Sequence, residues 1–117
     1  MYILARDSDL NFLNSQRIIQ VCVGENEVIF NFDNNYSITV YSKLSFTQSN
    51  IQAFTLTADT AGMASLGYIG ELIVDYAIDK YSNLVLVFAS SKRMAIIAES
   101  QEYENYIIRG NSTIVVV

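Results

Sequence analysis

The chain has 117 residues, of which 51% are hydrophobic and 16% charged, with no His, no Pro, no Trp and a single Cys. That length and apolar content suffice for one domain, 1–117, to bury a core without disulfide or metal staples, and they exclude intrinsic disorder. Twelve acidic against seven basic residues give a net charge of −5, which disfavours nucleic acid and anionic lipid as partners and favours encounter with a basic one.

The chain starts with residues that do not look like a signal peptide, since Arg6 is followed by two acids, Asp7 and Asp9, and no sustained apolar run precedes a small-residue cleavage site. Apolar runs such as 84–89 and 114–117 are far below the roughly 20 residues needed to span a bilayer. Cys22, flanked by Val21 and Val23, reads as a small hydrophobe in a strand, so the expected compartment is reducing and cytoplasmic.

Ser8 or Asp9 is placed to cap a short helical turn through Leu10, Phe12 and Leu13. Alternation then takes over. Ile19, Val21 and Val23 are expected on one face of a first strand, Val28, Phe30 and Phe32 on one face of a second, and Ile38 and Val40 on one face of a third. Residues 24–26 and 33–35 supply the Gly, Asn and Asp that tight hairpins require. A further strand is expected around Ile51, Ala53, Phe54 and Leu56, then a short helix over 61–66, capped by Asp59 or Thr60 and ended by Gly67 and Gly70.

The three-strand pattern recurs, with Leu72, Val74 and Tyr76, then Leu84, Leu86 and Phe88, then Met94 and Ile96. Phe32 and Phe88 are 56 residues apart, but Leu13 and Leu66, like Ile19 and Leu72, are 53 apart, so the first hairpin of the second copy is expected to be about three residues longer. The pseudo-repeats are read at about 13–43 and 66–99. Two tail strands, 103–109 and 113–117, follow, split by a turn at 110–112. The expected fold is mainly β, an antiparallel partly open barrel or two packed sheets built from two βββ meander repeats, with one short helix and about nine strands in all.

The second faces of the two repeats differ. In the first, Gln20, Asn31, Ser37 and Thr39 are polar; in the second, Ile73, Ala77, Val85, Val87, Ala95 and Ile97 are apolar and call for a cover. The expected cover is the helix or the other sheet; the alternative is a homodimer or another protein.

Without His there is no Ser-His-Asp triad, Cys-His pair or usual zinc set, and no phosphate-cradling Gly motif occurs. No enzyme activity, cofactor, metal or catalytic residue is expected. A two-carboxylate site is disfavoured because Asp75 and Asp79 read as solvated strand residues and Glu99, Glu102 and Glu104 lie around a turn. Most of the eight Tyr and six Phe read as core, with Tyr36, Tyr41 and Tyr81 the expected exceptions.

Phe12-Leu13, RIIQVCVGENEVIFNF at 17–32, SLGYIGELIVDY at 65–76, YENYII at 103–108 and the terminal TIVVV together resemble a family of small bacterial β-rich proteins of uncharacterised function. That family includes immunity proteins encoded beside toxin genes. DNNY at 33–36 departs from the Gly-containing hairpin more usual there. The resemblance covers nearly the whole chain and carries no catalytic residue. It implies an immunity protein that binds and neutralises a cognate toxin domain, such as one delivered in contact-dependent inhibition, and the acidic charge suits a nuclease with a basic substrate cleft. Asp75, Asp79, Glu99, Glu102 and Glu104 are then the expected partner-binding residues. Two other classes stand beside it: a homo-oligomeric assembly protein, and a small-molecule or glycan binder using exposed Tyr.

Overall fold

The computed structural model describes residues 9–48, 51–100, 103–110 and 113–117. In chain order its elements are β1 (Ile18–Val23), β2 (Val28–Phe32), β3 (Ser37–Val40), β4 (Lys43–Gln48), β5 (Ile51–Thr57), α1 (Ala58–Leu66), β6 (Ile73–Ile78), β7 (Leu84–Phe88), β8 (Arg93–Ile97), β9 (Tyr106–Arg109) and β10 (Ile114–Val116). A 3-10 turn at Asn11–Leu13 precedes β1; its N-cap is Leu10 rather than Ser8 or Asp9, and the Asp9 carboxylate accepts the Asn11 N–H at 3.0 Å.

The strands form two antiparallel five-stranded sheets, ordered β1-β2-β3-β9-β10 and β5-β4-β8-β7-β6. Uninterrupted alternation in β2 and β7 sends Val28, Phe30 and Phe32, and Leu84, Leu86 and Phe88, into one shared core. Ile38 and Val40, Met94 and Ile96, and Leu44 and Phe46 join them from the neighbouring strands. Each such fully buried side chain contributes roughly 1.5–3 kcal/mol. The sheets do not close into a barrel.

Each sheet joins a three-strand meander to a hairpin from the other half of the chain. β3 pairs with β9, Val40 opposite Tyr106, while β8 pairs with β4, Ile96 opposite Leu44. The two halves are therefore interlocked, and the hairpins β4–β5 and β9–β10 occupy equivalent places in opposite sheets.

The equivalence extends to single hydrogen bonds. Where the sheet edges meet, Ile18 N–H donates to the Glu71 carbonyl (3.0 Å) and Ile73 N–H to the Gln16 carbonyl (2.8 Å). Likewise Gly70 N–H donates to Ile18 (2.7 Å) and Ser15 N–H to Ile73 (2.8 Å). Exchanging residues 55 apart converts each bond into its partner, so a pseudo-twofold axis passes beside the Arg17–Leu72 bridge. Phe32 N–H to the Tyr36 carbonyl and Phe88 N–H to the Lys92 carbonyl repeat with a spacing of 56. Even the left-handed backbone recurs: φ is 71° at Ser15 and 91° at Gly70.

Two expectations change here. Ile18 matches Ile73, where Ile19 was expected to match Leu72, so the spacing is 55 rather than 53 and the second hairpin is one residue longer, not three. Both β1 and β6 carry a β-bulge one residue in, between Ile18 and Gln20 and between Ile73 and Asp75. A bulge reverses the phase of what precedes it. Ile18 and Ile73 are thus fully buried, while Ile19 and Val74 are 57% and 49% exposed. Val23 keeps the inward phase but is half exposed at the strand end.

The helix is longer than expected and begins at Ala58, with Thr57 as its N-cap, because the Ala58 N–H is already held by the Ser42 carbonyl at 2.9 Å. Its small residues let it approach closely: Ala58, Ala61 and Ser65 are buried, and a Cβ on Gly62 would lie 2.3 Å from Val23 Cγ1. It packs against β1, β2, β4 and β5. The outer face of the second sheet is therefore not covered by α1; Val85, Val87, Ala95 and Ile97 lie half-buried among their cross-strand neighbours there, and Ile73 belongs to the core instead. Among the described residues no helix is long and apolar enough to cross a membrane.

Candidate partner-binding surface

One end of the first sheet gathers acids and tyrosines from three separate segments. The β1–β2 turn is closed by Gly24 N–H to the Glu27 carbonyl at 2.9 Å, which turns Glu25 and Asn26 out to solvent. Tyr41 follows β3, and its N–H donates to the Asn105 carbonyl at 2.8 Å. Asn105 is fully buried and organises the segment before β9: its Oδ1 accepts the N–H groups of Glu99 (3.1 Å) and Ser100 (2.8 Å), and its Nδ2 donates to the Ser100 carbonyl (3.1 Å). Satisfying three backbone groups from one buried amide fixes the loop that presents Tyr103 and Glu104.

Two shallow clefts meet at Tyr41. Glu25, Asn26, Glu27 and Tyr41 line one of about 270 Å³; Tyr41, Tyr103, Glu104 and Ile107 line the other, of about 340 Å³. Three carboxylates and two exposed phenol rings thus line them, with no Lys or Arg among the described lining residues. Tyr103 is 70% exposed and Tyr41 41%. Carboxylates beside aromatic faces attract ammonium and guanidinium groups by charge and by cation–π contact.

The five acids singled out from sequence are dispersed. Asp75 is exposed just after the β6 bulge, where its Oδ1 accepts its neighbour Tyr76's N–H at 2.8 Å. Asp79 is occupied by its own turn: Oδ1 accepts from the N–H groups of Tyr81 (2.8 Å) and Asn83 (3.0 Å), and Oδ2 from Asn83 Nδ2 (2.9 Å). Asn83 Oδ1 then accepts the Ala98 N–H at 2.8 Å, tying that turn to the end of β8. Glu99 pairs with Lys43 at 3.0 Å, an exposed ion pair of little energetic weight. Glu102 lies outside the described residues. Only Glu104 lines the Tyr41 surface.

Glu25, Glu27 and Tyr103 were not expected there, although a Gly-Glu-Asn-Glu turn and a Tyr-Glu pair were visible signals. Of the tyrosines expected outside the core, Tyr41 and Tyr81 are exposed, whereas Tyr36 packs edge-on against Phe12 with centroids 5.4 Å apart. Tyr106 is instead fully buried, and its hydroxyl donates to the Ser82 carbonyl at 2.7 Å. Burial first, and the Asp79 carboxylate second, push its phenol well above the ordinary value near 10. Among the described residues no group of three His, Cys, Asp or Glu is placed to hold a metal ion.

No family model, curated protein or solved structure matches this chain.

Proposed function

We propose that the protein acts by binding a basic protein through the Tyr41 surface, and that this partner is a toxin domain which it neutralises as an immunity protein. The observation that carries the binding is the meeting of Glu25, Glu27 and Glu104 with Tyr41 and Tyr103 in clefts with no positive charge among their described lining residues. The toxin as partner follows from the sequence resemblance, and a nuclease fits because enzymes that cleave nucleic acid present basic clefts. An acidic surface occupies such a cleft with fast, salt-sensitive association. Asp75 and Glu99 would add long-range attraction rather than contacts.

The test pairs the protein with the toxin domain encoded beside its gene. Co-expression restores growth and the two co-purify; failure of both, with soluble protein present, contradicts the immunity reading. Replacing Glu25, Glu27 and Glu104 together by Gln slows association about tenfold at low salt and flattens its salt dependence. An unchanged association rate removes this surface from the interface.

A further inference from the structure

The pseudo-twofold axis relates two places that are filled differently. In the first half the Phe12 ring packs on Tyr36, and Gly110 lies beneath both: a Cβ there would be 3.6 Å from Phe12 and 3.7 Å from Tyr36. The hydrogen bonds of the turn containing Phe12 (Leu13 to Leu10, Asn14 to Asn11) recur 55 residues on as Tyr68 to Ser65 and Ile69 to Leu66, so Gly67 stands at the Phe12 position. The bond from Phe32 to Tyr36 recurs as that from Phe88 to Lys92, so Lys92 stands at the Tyr36 position. The two replacements touch as the originals do, the Lys92 ammonium donating to the Gly67 carbonyl at 3.4 Å.

Where Phe12 fills its half, the second half has a cleft of about 220 Å³. Phe46, Phe54 and Tyr68 wall it, Gly67 and Ala64 form its helix side and Lys92 its rim. Centroids of Phe46 lie 5.5 Å from Phe54 and 5.4 Å from Tyr68, so the wall is a continuous aromatic surface, and Phe54 remains 48% exposed. Backbone conformation does not require glycine at 67. Its φ is −66°, which any residue adopts, and a Cβ would meet only the Ala64 carbonyl, at 3.4 Å. What glycine leaves there is room for a ring. A cavity of about 150 Å³ already accepts benzene in an apolar protein interior.

We propose that this cleft binds a free monocyclic aromatic carboxylate, its ring taking the place that Phe12 fills in the other half and its carboxylate meeting Lys92. Lys92 is the one charged side chain among the described lining residues. Its contacts to the Gly67 carbonyl at 3.4 Å and to Glu71 Oε2 at 3.7 Å are longer than the 2.7–2.9 Å of a strong charge-assisted bond, so it retains donor capacity. Glu71 is itself held by the Ser90 hydroxyl at 2.5 Å on its other oxygen. The ammonium also sits 5.2 Å from the Tyr68 ring centroid, so the aromatic wall already has its cation and a second one is repelled.

The intact isotope-labelled chain is titrated with benzoate, benzyl alcohol and benzylamine while the amides of Gly67, Tyr68 and Lys92 are followed by NMR. Benzoate shifts these resonances saturably in the millimolar range, and benzylamine binds at least about tenfold more weakly. Gly67→Phe, with native dispersion elsewhere, removes binding of all three. Lys92→Gln, which leaves the aromatic wall intact, lowers benzoate affinity about tenfold and leaves benzyl alcohol unchanged. No saturable shift with benzoate, benzoate binding undiminished in folded Gly67→Phe, or equal affinity for benzoate and benzylamine overturns the proposal.

Discussion

The two halves of this chain share a backbone but not a filling. Ile18 and Ile73 sit at matching bulges and are both fully buried, and the bonds around them correspond one for one. Around that shared frame, Phe12 and Tyr36 seal one side with aromatic contact, whereas Gly67 and Lys92 leave the other open beneath three aromatic rings. The corners differ as well: β3 runs into β4 through two residues, while β8 reaches β9 through a longer connection held by Asn105. Hydrogen-bonded frame and buried inner positions are what the fold demands of both halves; the differences lie at the rims, where binding surfaces form.

The largest effect tests the shared frame. Ile18→Ala and Ile73→Ala each create a cavity at a fully buried position and each lower stability by about 3 kcal/mol in denaturant unfolding. Costs that differ by more than about 2 kcal/mol would break the equivalence of the two bulges. Next comes the corner that only the second half possesses. Asn105→Ala removes the bonds to the Glu99 and Ser100 N–H groups and to the Ser100 carbonyl, and lowers stability by about 2 kcal/mol. It also speeds amide exchange at 99 and 100 while leaving Tyr41's neighbours in β3 protected.

A smaller effect separates Tyr106 from Leu44, which occupy equivalent inner positions on β9 and β4. Tyr106→Phe removes the bond to Ser82 and costs about 1 kcal/mol at neutral pH. Because the folded-state pKa of Tyr106 is raised above its unfolded value, the folded state resists ionisation. The associated stability is fully present below pH 10 and falls as pH rises from there toward the folded value. Tyr106→Phe flattens that alkaline loss, measured as the midpoint of urea unfolding between pH 8 and 11; an equal slope in the variant would contradict the assignment to Tyr106.

Inner positions of β2, β3, β7 and β8 were legible in the sequence because the two-residue strand period runs through them without a bulge, and a mainly β fold, as a partly open barrel or two packed sheets with a short helix, follows from it. β1 and β6 were not, since a bulge after Ile18 and Ile73 moves Ile19 and Val74 outward, and hydrophobicity alone does not reveal a bulge. The exchange of hairpins was hidden for a different reason: pairing Val40 with Tyr106, or Leu44 with Ile96, is a long-range choice that local pattern leaves open. Charge alone likewise singled out Asp79, although its carboxylate is engaged by the Tyr81 and Asn83 amides of its own turn. The Tyr41 surface draws on residues 25–27, 41 and 103–107, which only the fold brings together.

The central claim is that Gly67 marks an open copy of the site that Phe12 fills, and the thermal stability of Gly67→Phe tests it most directly. If the cleft has the shape of the Phe12 site, the new ring fills it and stability rises by about 1 kcal/mol, with the NMR spectrum otherwise native. A loss of stability by as much, with resonances of β4 and β8 displaced, would show that the space beside Gly67 is not the counterpart of the Phe12 site.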